Sequence, residues 1–125
     1  MSDISMHRHR LPDRVLLVED EFLVALTLEE DLRAEGCSIV GPFHDLESAR
    51  GSARSETFDL ALLDVNLNGS AVFPLAEELI ARGIPFVLLT GYAESNLPEA
   101  FRGQERVSKP YDLSDLLEAM RRAAA

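Results

Sequence analysis

Three carboxylates, one threonine and one lysine each stand at or just past the end of a short apolar run. Glu19 and Asp20 follow Val15-Leu16-Leu17-Val18, and Asp64 follows Leu60-Ala61-Leu62-Leu63. Thr90 follows Phe86-Val87-Leu88-Leu89, and Lys109 follows Val107-Ser108. In an open parallel α/β sheet the carboxyl ends of the strands share one edge, where ligands bind. Residues far apart in sequence then meet in one polar cluster. Acids, a hydroxyl and an ammonium in one crevice suit a divalent metal together with a phosphoryl group. Magnesium is a hard cation that takes oxygen ligands, usually one or two carboxylates, and keeps several waters. Asp20 and Asp64 could bind it directly, with Glu19 acting through water and the backbone carbonyl of Asn66 completing the set. Without a cation, close carboxylates repel by about 1 kcal/mol or more per pair at surface-like dielectric. Asp64 could attack phosphorus in line. Lys109 could pair with one phosphoryl oxygen and Thr90 donate its hydroxyl to another. Singly, each residue has a plainer role: Asp20 could cap the helix after it, and Lys109 could be a surface lysine. It is the joint placement at successive strand ends that carries the chemical reading.

The elements that must position these residues alternate strand and helix. Short apolar runs at Arg14–Val18, Cys37–Phe43, Phe58–Asp64, Pro85–Leu89 and Glu105–Ser108 read as strands, mostly buried on both faces. From Glu21 to Glu35, Phe22, Leu23, Leu26 and Leu32 recur at helical spacing, and Gly36 is a C-terminal stop. Asp45 can cap a helix running to about Ser55. Asn68-Gly69 is a strong turn signal, and Pro74 fits in the first turn of a helix running to about Ala81. A last helix begins near Leu113 and puts Leu113, Leu116, Leu117 and Met120 on one face. Between Thr90 and Lys109, Pro98 interrupts any helix, so a fourth helix there should be short or irregular. The alternation argues for a doubly wound parallel sheet with right-handed crossovers and helices on both faces.

The chain has 125 residues, the length of one domain with a proper core. Residues 1–13 read as a flexible tail and 14–125 as the domain. Its formal charge of −10 argues against nucleic acid as a partner, since phosphate contacts need a basic stripe. That charge suits basic patches on protein partners. No apolar run is long enough for a membrane span. A single cysteine, Cys37, cannot form an internal disulfide, so a cytoplasmic setting is expected.

The blocks Val15-Leu16-Leu17-Val18-Glu19-Asp20-Glu21, Leu62-Leu63-Asp64-Val65-Asn66-Leu67, Leu88-Leu89-Thr90-Gly91 and Ser108-Lys109-Pro110 resemble the signature blocks of response-regulator receiver domains. The resemblance runs from about Arg14 to Met120. It implies a flavodoxin-like five-stranded sheet and Mg²⁺-dependent phosphoryl transfer from a histidine kinase or histidine phosphotransferase. It places the phosphoacceptor on Asp64, the metal on Glu19, Asp20 and Asp64, and the phosphoryl-oxygen contacts on Thr90 and Lys109. It further implies autodephosphorylation and no enzymatic activity beyond the protein's own transfer chemistry. Pro85-Phe86-Val87-Leu88-Leu89-Thr90-Gly91-Tyr92 is similar to the FAT GUY subfamily of stand-alone receivers, with Leu88 and Leu89 where that motif has phenylalanine and alanine. An output through protein contacts or phosphoryl relay is therefore expected.

One departure bears on mechanism. Many receivers carry a tyrosine or phenylalanine three residues before the lysine, and here that position is Arg106. Tyr92, two residues after Thr90, is the candidate to take over the switching role. His7 and His9, in a basic tail without a nearby acid, read as solvated residues, and His44 as a loop residue. Cys37 reads as a small buried side chain, and Arg121 and Arg122 as favouring the C-terminus of the last helix. Two other function classes compete. A haloacid-dehalogenase-type hydrolase needs a second aspartate where this chain has Asn66. A pseudo-receiver that works without phosphorylation need not keep Asp20, Asp64, Thr90 and Lys109.

Overall fold

The computed structural model describes residues 10–91 and 97–125. His7, His9 and the switch candidate Tyr92 lie outside the described residues. Five strands, β1 (Arg14–Val18), β2 (Ser38–Phe43), β3 (Leu60–Asp64), β6 (Phe86–Thr90) and β7 (Arg106–Ser108), form one sheet in the order β2-β1-β3-β6-β7. Every pairing in it is parallel. A two-stranded antiparallel hairpin, β4 (Asn66–Leu67) with β5 (Ser70–Ala71), interrupts the crossover after β3. The helices are α1 (Phe22–Ala34), α2 (Leu46–Ser55), α3 (Phe73–Ala81) and α4 (Leu113–Ala124). In place of a helix between β6 and β7 the described residues hold a 3-10 turn, Glu99–Phe101. This is the flavodoxin-like doubly wound fold.

Side chains alternate along each strand, so two apolar layers form. Leu16, Val18, Ala61, Leu63, Phe86 and Leu88 pack with α2, α3 and the 3-10 turn. Val15, Leu17, Leu60, Leu62, Val87 and Leu89 pack with α1 and α4. β1, β3 and β6 are buried on both faces, which explains their uninterrupted apolar sequences. Asp45 caps α2 as expected, accepting a hydrogen bond from the Ser48 N–H at 2.8 Å. Gly36 ends α1 at φ 98°. Phe73 stacks on Phe101, with ring centroids 4.8 Å apart, and ties the start of α3 to the 3-10 turn.

Helix α1 differs from the sequence reading. Its buried residues are Ala25, Leu28 and Leu32, whereas Phe22 and Leu23 are 66% and 74% exposed and Leu26 is also exposed. A small alanine allows the helix to approach the sheet, so the bulkier residues of the N-terminal turns face outward. Among the described residues no helix is long and apolar enough to cross a membrane.

Candidate functional site

The carboxyl ends of β1, β3, β6 and β7 bring Glu19, Asp20, Asp64, Thr90 and Lys109 to one edge of the sheet. Asp64 is the last residue of β3 and is buried, as are Glu19 and Thr90. Three buried polar side chains at one edge of an otherwise apolar sheet need mutual partners, because an unpaired buried charge is costly.

Lys109 supplies much of that pairing. Its Nζ donates to Asp64 Oδ2 at 3.0 Å and to Glu19 Oε2 at 3.2 Å. It also lies 2.9 Å from Glu19 Oε1, a close contact of charges without hydrogen-bond alignment. The Lys109 backbone N–H bonds the Thr90 carbonyl at 2.9 Å, which joins the ends of β6 and β7.

Glu19 is set by its backbone. The register of β1 against β2 shifts between Leu16 and Val18, where Gly41 lies at φ 105°. A Cβ at Gly41 would stand 2.9 Å from the Phe43 nitrogen and 3.0 Å from the Leu17 oxygen, so this bend needs glycine. The bend brings the Phe43 carbonyl to the Glu19 N–H at 2.9 Å. On the other side, His44 Nδ1 is 2.8 Å from the Glu19 carbonyl oxygen. A carbonyl only accepts, so His44 Nδ1 carries the proton in this contact. Sequence alone reads His44 as a loop residue. Its position just beyond β2, the neighbour of β1, was the sole clue to this role.

Asp20 does not cap α1. The N-cap is Glu21, which makes no side-chain capping bond, and Asp20 Oδ2 instead accepts from the Asn68 N–H at 3.0 Å. The Asn66 N–H reaches Asp64 Oδ1 at 3.3 Å, so this peptide lies beside the acids. Arg106, at the position of the usual switch aromatic, donates to the carbonyls of Arg102 at 2.9 Å and Gln104 at 3.3 Å. It thereby fastens the loop before β7.

One ammonium faces three carboxylates, and the imbalance appears in their acidities. Burial, reinforced by Asp20 and Glu19 and opposed by Lys109, pushes Asp64 up to about 7. For Asp20 burial pulls the same way, but hydrogen bonds with Asp64, the Asn68 N–H and Glu19 prevail and hold it below the usual carboxylate range. Burial works against the charge on Lys109, yet Glu19 and Asp64 raise its pKa above the ordinary value. Near neutral pH, then, Asp64 exchanges a proton between its neutral and ionised forms beside an ionised Asp20. A divalent cation can replace that proton, since carboxylate ligands bind metal in the ionised form. One ligand oxygen from each of Glu19, Asp20 and Asp64 lies within 4.8 Å of the others, an all-oxygen set that suits a hard cation such as Mg²⁺. Beside Lys109, between α1 and the start of α4, opens a groove of about 540 Å³ lined by Leu23, Val24, Leu28, Pro110, Tyr111 and Leu113.

Residues 15–121 match the model of the response regulator receiver domain. The chain is 34% identical over 119 residues to the transcriptional regulatory protein PdtaR of Mycobacterium tuberculosis strain H37Rv, covering 92% of this chain and 58% of that protein. The chain thus spans somewhat over half the length of this curated relative. The solution structure of SdrG from Sphingomonas melonis Fr1 superposes with a TM-score of 0.80 at 33% identity, covering 90% of this chain and 97% of SdrG. A BeF3-activated conformation of SdrG also matches, with a TM-score of 0.77. The response regulator PhyR from Brucella abortus matches with a TM-score of 0.77 at 26% identity, over 99% of this chain and 53% of PhyR. With the acids, the threonine and the lysine at the strand ends where the motif blocks place them, the chain belongs to the receiver-domain family of two-component response regulators.

Proposed function

We propose that this protein is a phosphorylation-operated signalling switch that accepts a phosphoryl group on Asp64 from a histidine kinase or histidine phosphotransferase. The observation that carries this reading is the Asp64 carboxylate, buried at the end of β3 and held by Lys109 beside the Glu19–Asp20 pair. Glu19, Asp20, Asp64 and the Asn66 carbonyl would hold Mg²⁺, which when bound neutralises charge on the carboxylates and on the phosphoryl group. An ionised Asp64 oxygen attacks phosphorus in line, the bond from phosphorus to the donor histidine nitrogen breaks, and an aspartyl phosphate forms. Lys109 exchanges its Asp64 contact for a phosphoryl oxygen and keeps Glu19 as its anchor. Thr90, buried at the end of β6, donates its hydroxyl to another phosphoryl oxygen. Water later hydrolyses the acyl phosphate, so the mark is transient and the only catalysis is of the protein's own phosphorylation and release.

The exposed Phe22, Leu23 and Leu26 on α1 and the groove beside Lys109, which contacts Asp64, give a protein donor an apolar surface at this end of the molecule. The BeF3-activated form of the similar SdrG is in keeping with a site that takes a phosphoryl-like group. The Pro85–Tyr92 segment supports the FAT GUY subfamily, with output through protein contacts or relay in the cytoplasm. Phosphorylation biases two conformations of the chain, and with Arg106 in the usual aromatic position Tyr92 carries the switch.

The test is intact mass after incubation with acetyl phosphate or phosphoramidate, with Mg²⁺ and with chelator, beside Asp64→Ala. A labile phosphoryl adduct that needs Mg²⁺ and is missing in the variant is the expected result. A folded wild type that gains no adduct from these donors or from a histidine kinase would leave a binding-only module as the better reading.

A further inference from the structure

The crossover after Asp64 is closed into a hairpin whose tip is bonded to Asp20, on the other side of the acid cluster. Asn66 pairs with Ala71 and Leu67 with Ser70, and the Val72 N–H bonds the Val65 carbonyl at 2.9 Å. Val65, Leu67 and Val72 are buried in the core, which fixes the register, because a slip by one residue would turn Leu67 out. The central residues of the turn, Asn68 and Gly69, have φ values of 54° and 91°. A two-residue turn with positive φ at both positions selects Asn-Gly. The Gly69 N–H donates to Asn66 Oδ1 at 2.9 Å and braces the turn from within. At the tip, the Asn68 N–H donates to Asp20 Oδ2 at 3.0 Å across 48 positions of sequence.

We propose that the Asn66–Ala71 hairpin is a positioning device for the divalent cation. It holds the main chain at Asn66 in place and turns the Asp20 carboxylate into the site, so the Asn68-Gly69 turn sets the affinity for metal. Asp20 lies among other acids, beside Glu19 and Asp64, at the start of α1, whose N-cap makes no side-chain capping bond. The Asn68 N–H is the main-chain donor that holds Asp20 from the hairpin side. A site whose ligands are held in advance binds more tightly than one that must gather them. This inference rests on the proposed metal-dependent chemistry of the same site.

The experiment is Mg²⁺ titration of the unphosphorylated protein, followed by calorimetry and by amide shifts in NMR spectra. The variants are Gly69→Ala, Gly69→Asn and Gly83→Ala. A Cβ on Gly69 meets nothing within 4 Å, so Gly69→Ala strains only the turn backbone and leaves the fold intact. Gly83 has φ 71° and equally open surroundings, but it lies at the end of α3, at the opposite edge of the sheet. Gly83→Ala therefore imposes similar strain away from the site. The expected result is an Mg²⁺ dissociation constant raised about three- to tenfold in Gly69→Ala. Gly69→Asn should give a smaller rise, because asparagine tolerates positive φ, and Gly83→Ala none. Equal affinities in wild type and Gly69→Ala, with folded spectra for both, would overturn the positioning role. A wild type that shows no saturable Mg²⁺ binding would overturn the metal reading itself, and the positioning role with it.

Discussion

In the proposed reaction Asp64 is buried at the strand end and yet must be ionised to attack phosphorus. Burial among like charges raises its pKa from the ordinary 3.8 to about 7. Between about pH 4 and 7 the folded chain therefore keeps a proton that the unfolded chain has lost. Stability falls as pH rises through that window and levels off above it. Asp20, held low, acts in the opposite sense: its contribution is present above its unfolded pKa and is lost only as pH falls below it. Asp64→Asn removes the buried charge. In chelator at pH 8 it should be more stable than wild type by on the order of 1 kcal/mol. That difference should shrink toward pH 4, and added Mg²⁺ should stabilise the wild type but not the variant. Urea unfolding across pH checks this, and a pH-independent difference would contradict it. The acids, Thr90 and Lys109 were legible in the sequence because each closes an apolar run that could only be a buried strand. The role of His44 was not, because its contact with Glu19 spans 25 positions and depends on which strand neighbours which.

At the scale of elements, the strands were clear because both faces of β1, β3 and β6 are buried, leaving continuous aliphatic runs. The hairpin showed only as a turn at Asn68-Gly69, since its strands, Asn66–Leu67 and Ser70–Ala71, are too short to carry a period. On α1 the large apolar residues Phe22, Leu23 and Leu26 recur at helical spacing without facing the sheet. Close packing selects the small Ala25 instead and leaves Phe22 and Leu23 in solvent. The two faces can be separated by substitution. Leu28→Ala, which opens a cavity against Leu17 and its neighbours, should cost about 2–5 kcal/mol. Leu23→Ala should change stability by less than about 0.5 kcal/mol. Chemical denaturation measures both, and similar losses would mean that α1 sits differently on the sheet. Helices α2 and α3 are joined at the surface, where Arg50 Nε bonds Glu78 Oε2 at 2.7 Å and Arg54 Nε bonds Oε1 at 3.2 Å. Such solvent-facing pairs contribute little beside the buried leucines.

For the molecule as a whole, parallel topology collects residues from four separate strand ends at one edge, beside the reversal of strand order at β1 and β3. The apolar layers beneath are rigid, so a small change at Asp64 is carried by whole elements rather than absorbed. Thr90 and Lys109 lie on β6 and just after β7, adjacent strands at the sheet edge, and their backbones are bonded to each other. In the proposed switch, a phosphoryl group drawing in both side chains would act first on this edge, whose neighbourhood includes the turn Glu99–Phe101, stacked through Phe101 on Phe73 of α3. The net charge of −10 suits the basic surfaces of the proposed protein partners. The proposed switch depends on one covalent event at one residue. The most direct test is to treat the phosphorylated chain with borohydride, which reduces an aspartyl phosphate to homoserine, and to sequence its peptides by mass spectrometry. The account predicts homoserine at position 64, formed only when Mg²⁺ was present during phosphorylation. Reduction at any other acid, or phosphoryl transfer that proceeds equally well without the metal, would contradict it.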